Sequence, residues 1–233
     1  MDPEDVLRDP PLLHVDGGTG QPVGWYVEPD VLRHLRAALP ERAKTAETGA
    51  GTSTVFFAAC GFEHLAIAPD AALFARIAAW CGERGIGLER VQFVAERSEW
   101  FLPRTRTADL DLFLVDGRHG FPTPFLDWFY GAERLKVGGL CAIDDTQILT
   151  GRILADFLHT DRHWSDGVEI GKTAIFRKVD RDVHGDEWHA QEFVRRRSGR
   201  GGRLSRWLSR TWRRGTAGRR PAAAGAAARA SQR

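Results

Sequence analysis

The stretch ETGAGTST, Glu47 to Thr54, governs how the rest of the chain is read. It lies between a strand candidate, Ala43 to Glu47, and a helix-period stretch at 52–60, and a Gly-x-Gly turn in that setting brings backbone close to a ligand. Gly49 and Gly51 give room for the approach. Ser53 and Thr54 stand where they can cap the helix or bond a ligand group at its positive N-terminus. The third glycine of a dinucleotide-binding pattern is missing, with Thr54 in its place, and no Lys follows to make a phosphate loop. Taken alone, the turn fits any α/β protein.

Working outward, further strand candidates fall at His64 to Ala68, Arg90 to Ala95, Leu110 to Asp116 and Leu140 to Asp144, with helix-period stretches at 71–84 and 121–135. Strands alternating with helices of that length predict a doubly wound, mostly parallel sheet. A helix from Arg152 to His159 leads to two more strands, Gly167 to Ile170 and Thr173 to Val179, joined by Gly171-Lys172. Two residues suffice only for a hairpin, so the last strand is predicted to run in reverse and the sheet to have seven strands. Upstream, Val31, Leu32, Leu35 and Leu39 recur at helical spacing after Glu28-Pro29-Asp30, and Pro40 stops them. Residues 1 to about 22 read as an irregular lead-in.

Among 233 residues, 42% are hydrophobic and 27% charged, which excludes collagen-like, disordered and membrane-spanning classes. No apolar run approaches the roughly 18 residues of a bilayer span, and the acidic start MDPEDVLRDP lacks the layout of a secretory signal, so a cytoplasmic protein is expected. Cys60, Cys81 and Cys141 are read as reduced core residues. The net charge of +2 conceals a division. Residues 194–233 hold 13 Arg and no acid, while residues 1–193 hold 20 basic against 31 acidic groups. The expected organisation is a lead-in and helix at 1–40, the main α/β domain at 41–193 and a basic, largely disordered tail at 194–233. Within the tail, GRLSRWLSRTWRR reads as a short basic amphipathic helix suited to an anionic membrane surface at the inner face; the acidic body disfavours nucleic acid.

The order of motifs resembles the class I S-adenosylmethionine-dependent methyltransferases. ETGAGTST is similar to their first motif, LDLFLVDGRHGFP to the fourth strand with its Asp116, and LKVGGLCAIDD to the Gly-Gly turn that launches the fifth. The resemblance covers about residues 41–180 and implies the sheet order 3-2-1-4-5-7-6, a Rossmann-like fold, with S-adenosylmethionine across the carboxyl ends of strands 1 and 2. It assigns the cofactor site to Glu47, Thr48, Gly49, Gly51, Ser53, Thr54, Asp70, Ser98 and Asp116. Two positions depart from the pattern. The ribose-binding acid at the end of strand 2 is Ala68 in LAIAPD, with Asp70 two residues on. The acid that contacts adenine after strand 3 corresponds to Glu96 or Arg97 in AERSE, with Ser98 beside them.

The pattern is closest to the metal-dependent O-methyltransferases, which carry an Asp after strand 4, an acidic pair after strand 5 and a Lys or His three residues past the first Asp. That resemblance makes Asp116, Asp144 and Asp145 ligands of Mg²⁺ or Mn²⁺ and His119 the base. Adjacent carboxylates are costly without a cation, and hard oxygen donors suit those ions. A hydroxyl is a poor nucleophile at neutral pH, and a histidine, ordinarily titrating near about 6.5, is suited to taking its proton. The implied activity is O-methylation of a small molecule or glycan. Two other readings stand beside it: a noncatalytic S-adenosylmethionine-binding module tethered by its tail, and a nicotinamide-dependent oxidoreductase, which Thr54 in the third glycine's place disfavours. Trp25, Tyr26, Trp128, Phe129 and Tyr130 are read either as walls of an acceptor pocket or as core. His159 and His163 are read as ending a surface helix, and the run with His184 and His189 as a solvated loop. The sequence does not specify the acceptor or the oligomeric state.

Overall fold

The computed structural model describes residues 1–198 apart from Thr107 and Asp166. Met1–Glu187 form one compact unit and a second begins at Trp188. In the second, residues 192–198 are helical, with Glu192 and Arg196 paired one turn apart. The basic amphipathic stretch read within 202–214, and with it the expected membrane-surface contact, lies outside the described residues.

Seven strands build the main sheet: β3 (Lys44–Thr48), β4 (Glu63–Ile67), β5 (Val91–Val94), β6 (Leu110–Val115), β7 (Leu135–Ile143), β8 (Val168–Ile170) and β9 (Thr173–Arg177). Their order is β5-β4-β3-β6-β7-β9-β8. All neighbours are parallel except β9, which is antiparallel to both β7 and β8. This is the predicted arrangement, reversed last strand included. Every residue of β6 is buried, as a central strand covered on both faces requires. Leu112 and Leu114 point into one apolar cluster with Val55, Phe56 and Phe57 of α3 (Thr52–Ala59) and Ile77 of α4 (Ala71–Glu83). Phe113 and Val115 point into the other, with Trp128 and Ala132 of α6 (Thr123–Arg134) and Leu154 and Leu158 of α7 (Leu149–Leu158). The period of two thus feeds two cores from one strand.

The lead-in corrects the sequence reading, because it is ordered. Pro3–Arg8 form helix α1, with Asp2 accepting the Glu4 N–H at 2.9 Å and Val6 and Leu7 buried. His14–Val15 (β1) and Pro22–Val23 (β2) pair antiparallel, and Asp16 closes their turn by accepting from Gly18 and Thr19 N–H. A six-residue helix is too short for periodicity to reveal, and its Pro3 is a helix-starting residue that reads equally as a loop signal. Helix α2 (Pro29–Ala38) follows as expected. A short helix α5 (Ser98–Phe101) precedes a 3₁₀ turn at Leu102–Arg104. Strand β7 begins at Leu135 rather than Leu140: its pairing with β6 slips between Leu110 and Leu112, and Gly138, with φ +88°, absorbs the irregularity. The three cysteines are free, with Cys81 and Cys141 buried.

Candidate active site

At the carboxyl edge of the sheet lies a cavity of about 730 Å³ bordered by the loops after β3, β4, β6 and β7 and by the β8–β9 turn. A crevice there, where the strand order reverses between β3 and β6, is where a doubly wound sheet binds its ligand.

The glycine loop forms one wall. Gly49 has φ +93°, and a Cβ there would lie 2.2 Å from the Asp116 carbonyl oxygen, so the residue is required by backbone crossing backbone. Gly51 is extended, and its Cβ would meet His14 Nε2 at 3.1 Å, a side chain able to give way. Beneath the loop, Glu47 is fully buried. Ser53 Oγ donates to it at 2.6 Å, Thr54 Oγ1 donates to its other oxygen, and His64 Nε2 lies 3.0 Å away. Thr54 Oγ1 also accepts the Gly51 N–H at 3.0 Å, so the residue in the third glycine's place ties the loop to the helix it opens. His64 Nδ1 is 2.8 Å from Thr45 Oγ1. Gly49, Ala50, Gly51 and Ser53 line the cavity, whereas Glu47, Thr48 and Thr54 stand behind it and hold its shape.

Ala68, Asp70 and Ser98 line the far end. Asp70 caps α4 through Ala72 and Leu73 N–H and pairs with Arg76 at 3.1 Å. Burial works against its charge, but those bonds hold its pKa below the ordinary carboxylate value. Ser98 is buried, and behind it Asp127 of α6 is wholly inaccessible, its carboxyl facing the Ser98 and Thr48 hydroxyls, which favour its charged form without outweighing burial. Burial pushes Asp127 up to about 6.

The opposite wall carries the acidic residues. Asp116, His119, Asp144 and Asp145 all border the cavity, so strands β6 and β7 do bring the three expected carboxylates together. Burial first, then Asp144 and Glu47, raise the Asp116 pKa well above the usual range. Asp145 adopts φ +55°, a left-handed conformation that Asp tolerates better than most residues and that marks sites where strain is retained for a purpose. His119 Nε2 is 2.9 Å from Asp145 Oδ2, and that bond, despite burial and with help from Lys172 and Gln147, holds the Asp145 carboxyl well below its ordinary value. The chain anchors His119 from behind as well, through Thr150 Oγ1 donating to its carbonyl at 2.6 Å.

Asp144 is buried, and both of its oxygens are taken: Thr173 Oγ1 donates to Oδ1 and Lys172 Nζ to Oδ2 at 3.0 Å. Lys172 Nζ also reaches Asp145 Oδ1 at 2.7 Å, where Gln147 Nε2 donates at 2.7 Å. Asp116, His119 and Asp145 bring one donor atom each to within 4.8 Å of one another, the spacing of a metal cluster. Yet the full set fits a divalent cation poorly. Every oxygen of Asp144 and Asp145 already has a donor from the chain, and the positive charge that adjacent carboxylates require is present as an ammonium.

Residues the sequence reading did not single out also reach the cavity: His14, Arg118 and Lys172. His14 sits in the stretch read as irregular, and burial lowers its pKa. Trp25 and Tyr26, read either as walls or as core, are 60% and 42% exposed and line the cavity, whereas Trp128 is core. Elsewhere, His159 Nε2 lies 3.2 Å from Glu169 on β8, and His163 is buried between Asp180 and Asp186 at 3.4 Å. His184 stacks on Phe129.

No protein-family profile and no curated protein sequence matches the chain. Solved structures do. The O-methyltransferase TomG from Streptomyces achromogenes, in complex with S-adenosylmethionine, aligns over 66% of this chain and 82% of its own, with TM-score 0.55 and 16% identity. A putative caffeoyl-CoA O-methyltransferase from Staphylococcus aureus aligns over 66% and 85%, with TM-score 0.57 and 13% identity. An rRNA methylase from Streptococcus thermophilus aligns over 67% of this chain and all of its own, with TM-score 0.51 and 17% identity. At these identities the likeness is one of fold, and the fold is that of the class I methyltransferases.

Proposed function

We propose that this chain is a methyltransferase that moves a methyl group from S-adenosylmethionine to a hydroxyl of a small molecule. The observation that carries the reading is a single cavity with the glycine loop on one wall and a His119–Asp145 pair on the other. The fold shared with proteins crystallised with S-adenosylmethionine supports the cofactor. So does the cavity, since Gly49, Ala50 and Gly51 and the first residues of α3 line it.

S-adenosylmethionine supplies an electrophilic methyl on a sulfonium: the acceptor oxygen bonds to that carbon, the carbon–sulfur bond breaks, and sulfur keeps the electron pair. The residues of the chain deal with the proton. Asp145 bonds His119 at Nε2, which leaves Nδ1 to take the acceptor's proton and gives the resulting imidazolium a carboxylate partner. Trp25 and Tyr26 offer ring faces to the acceptor at the open side. A noncatalytic binding module would use the same glycine loop but would have no need of the His119–Asp145 pair.

The test is transfer from methyl-labelled S-adenosylmethionine to a panel of hydroxylated acceptors. His119→Ala is expected to lower kcat by about 10²–10⁴, the usual worth of general base catalysis, with S-adenosylhomocysteine affinity near wild type. Turnover unchanged by the substitution would remove His119 from the reaction.

A further inference from the structure

The two-residue turn between β8 and β9 carries a lysine into the acidic wall. Because β9 runs antiparallel to β7, with Ile143 opposite Ala174, the turn that precedes β9 emerges at the carboxyl edge beside Asp144. The Lys172 carbonyl is gripped twice by Thr146, through its N–H at 2.9 Å and its Oγ1 at 2.9 Å, so the backbone under the ammonium is fixed to the loop that bears Asp145. Gly171, at φ +55°, makes the tight turn possible, and Glu28 packs where a Cβ would project. From this platform Nζ bridges Asp144 Oδ2 and Asp145 Oδ1 at 3.0 and 2.7 Å while still bordering the cavity.

We propose that Lys172 is the resident cation of the site: its ammonium occupies the place between Asp144 and Asp145 that a divalent ion would need, and it holds the Asp145–His119 pair in position for a metal-independent transfer. Lys172 is a positioning residue in this account. It keeps Asp145 Oδ1 engaged so that Oδ2 stays turned to His119, and its charge offsets the two carboxylates next to the acceptor oxygen. A divalent ion would have to displace an ion pair anchored at both ends. The inference rests on the methyl-transfer reading for its purpose, but its geometry can be tested without an acceptor.

The experiment titrates Mn²⁺ into the full-length protein, following the loss of the free-ion paramagnetic resonance signal, for wild type, Lys172→Met, Lys172→Gln and Lys172→Arg. Thermal melts report folding of each. Wild type and Lys172→Arg are expected to bind no more tightly than about 1 mM, the weak end for oxygen-donor sites. Freeing the carboxylate pair in the two neutral variants is expected to tighten Mn²⁺ binding by about tenfold or more, and adding Asp144→Asn to either should reverse the gain. Labelled-methyl transfer by wild type should continue in chelator. Micromolar Mn²⁺ binding by wild type, or no gain in both folded neutral variants, would overturn the proposal. Calorimetry with S-adenosylhomocysteine is run on the same wild-type sample. Its failure would strike the methyl-transfer reading and leave the Mn²⁺ comparison to judge the placement of the ammonium.

Discussion

Asp127 carries an unusual burden for a single residue. It is an ionisable group with no exposed surface, placed behind the cavity lining against the Ser98 and Thr48 hydroxyls. Its pKa of about 6 in the fold, against an ordinary 3.8, means the folded state resists its ionisation. The sign follows from linkage. The raised folded value leaves stability intact below about pH 4, and that stability is lost as pH climbs through about 6, by about 3 kcal/mol at most. Asp127→Asn removes the ionisation while keeping a polar side chain opposite Ser98 and Thr48. The variant is expected to be about 1–3 kcal/mol more stable than wild type at pH 8 in urea unfolding, and near equal to it at pH 4. A variant less stable at pH 8 would mean that the ionised carboxylate has a partner which sustains it.

At the scale of elements, helix packing separates glycines that look alike in sequence. Gly131 lies in α6 where the helix crosses β6, and a Cβ there would lie 2.3 Å from the Phe113 ring. Gly82 lies near the end of α4, where a Cβ would meet nothing within 4 Å. Gly131→Ala is therefore expected to cost about 1–3 kcal/mol through overpacking. Gly82→Ala should add about 0.5–1 kcal/mol by restricting the unfolded chain and improving helix propensity. Paired unfolding curves check both, and equal effects at the two positions would contradict the packing described. The same scale explains what the sequence made legible. The run from Leu110 to Val115 announces a buried strand because five of its six positions are apolar, and the Gly171-Lys172 turn allows only a hairpin. Helix α1 went unread because one and a half turns carry no period, and the early start of β7 was hidden by Gly138 and Gly139, which resemble a turn and in fact form an irregular strand.

For the whole molecule, strand order creates the site. Placing β3 beside β6, and β6 beside β7, gathers Gly49, Asp116 and Asp145 from positions far apart in sequence at one edge. Asp116, Asp144, Asp145 and His119 could be singled out as residues, and they do share that edge. Lys172 was legible in principle too, since a reversed last strand next to the fifth must carry its preceding turn to the same edge. Seeing it requires combining topology with the identity of one turn residue, and a charge in a two-residue turn otherwise reads as solvent-exposed. His14 could not have been found, because its place over the glycine loop depends on how the lead-in folds back. Among the described residues no helix is long and apolar enough to cross a membrane.

Whether the cavity at the carboxyl edge binds S-adenosylmethionine is decided by calorimetric titration of the full-length protein with S-adenosylhomocysteine, with NAD⁺ as the competing ligand. Saturable one-to-one binding of S-adenosylhomocysteine and no heat from NAD⁺ are expected, because Thr54, bonded to Gly51 and Glu47, fills the place of the third glycine. Binding of NAD⁺ without S-adenosylhomocysteine, or of neither up to about 1 mM, the weak limit set by roughly 4 kcal/mol of binding free energy, would contradict that expectation.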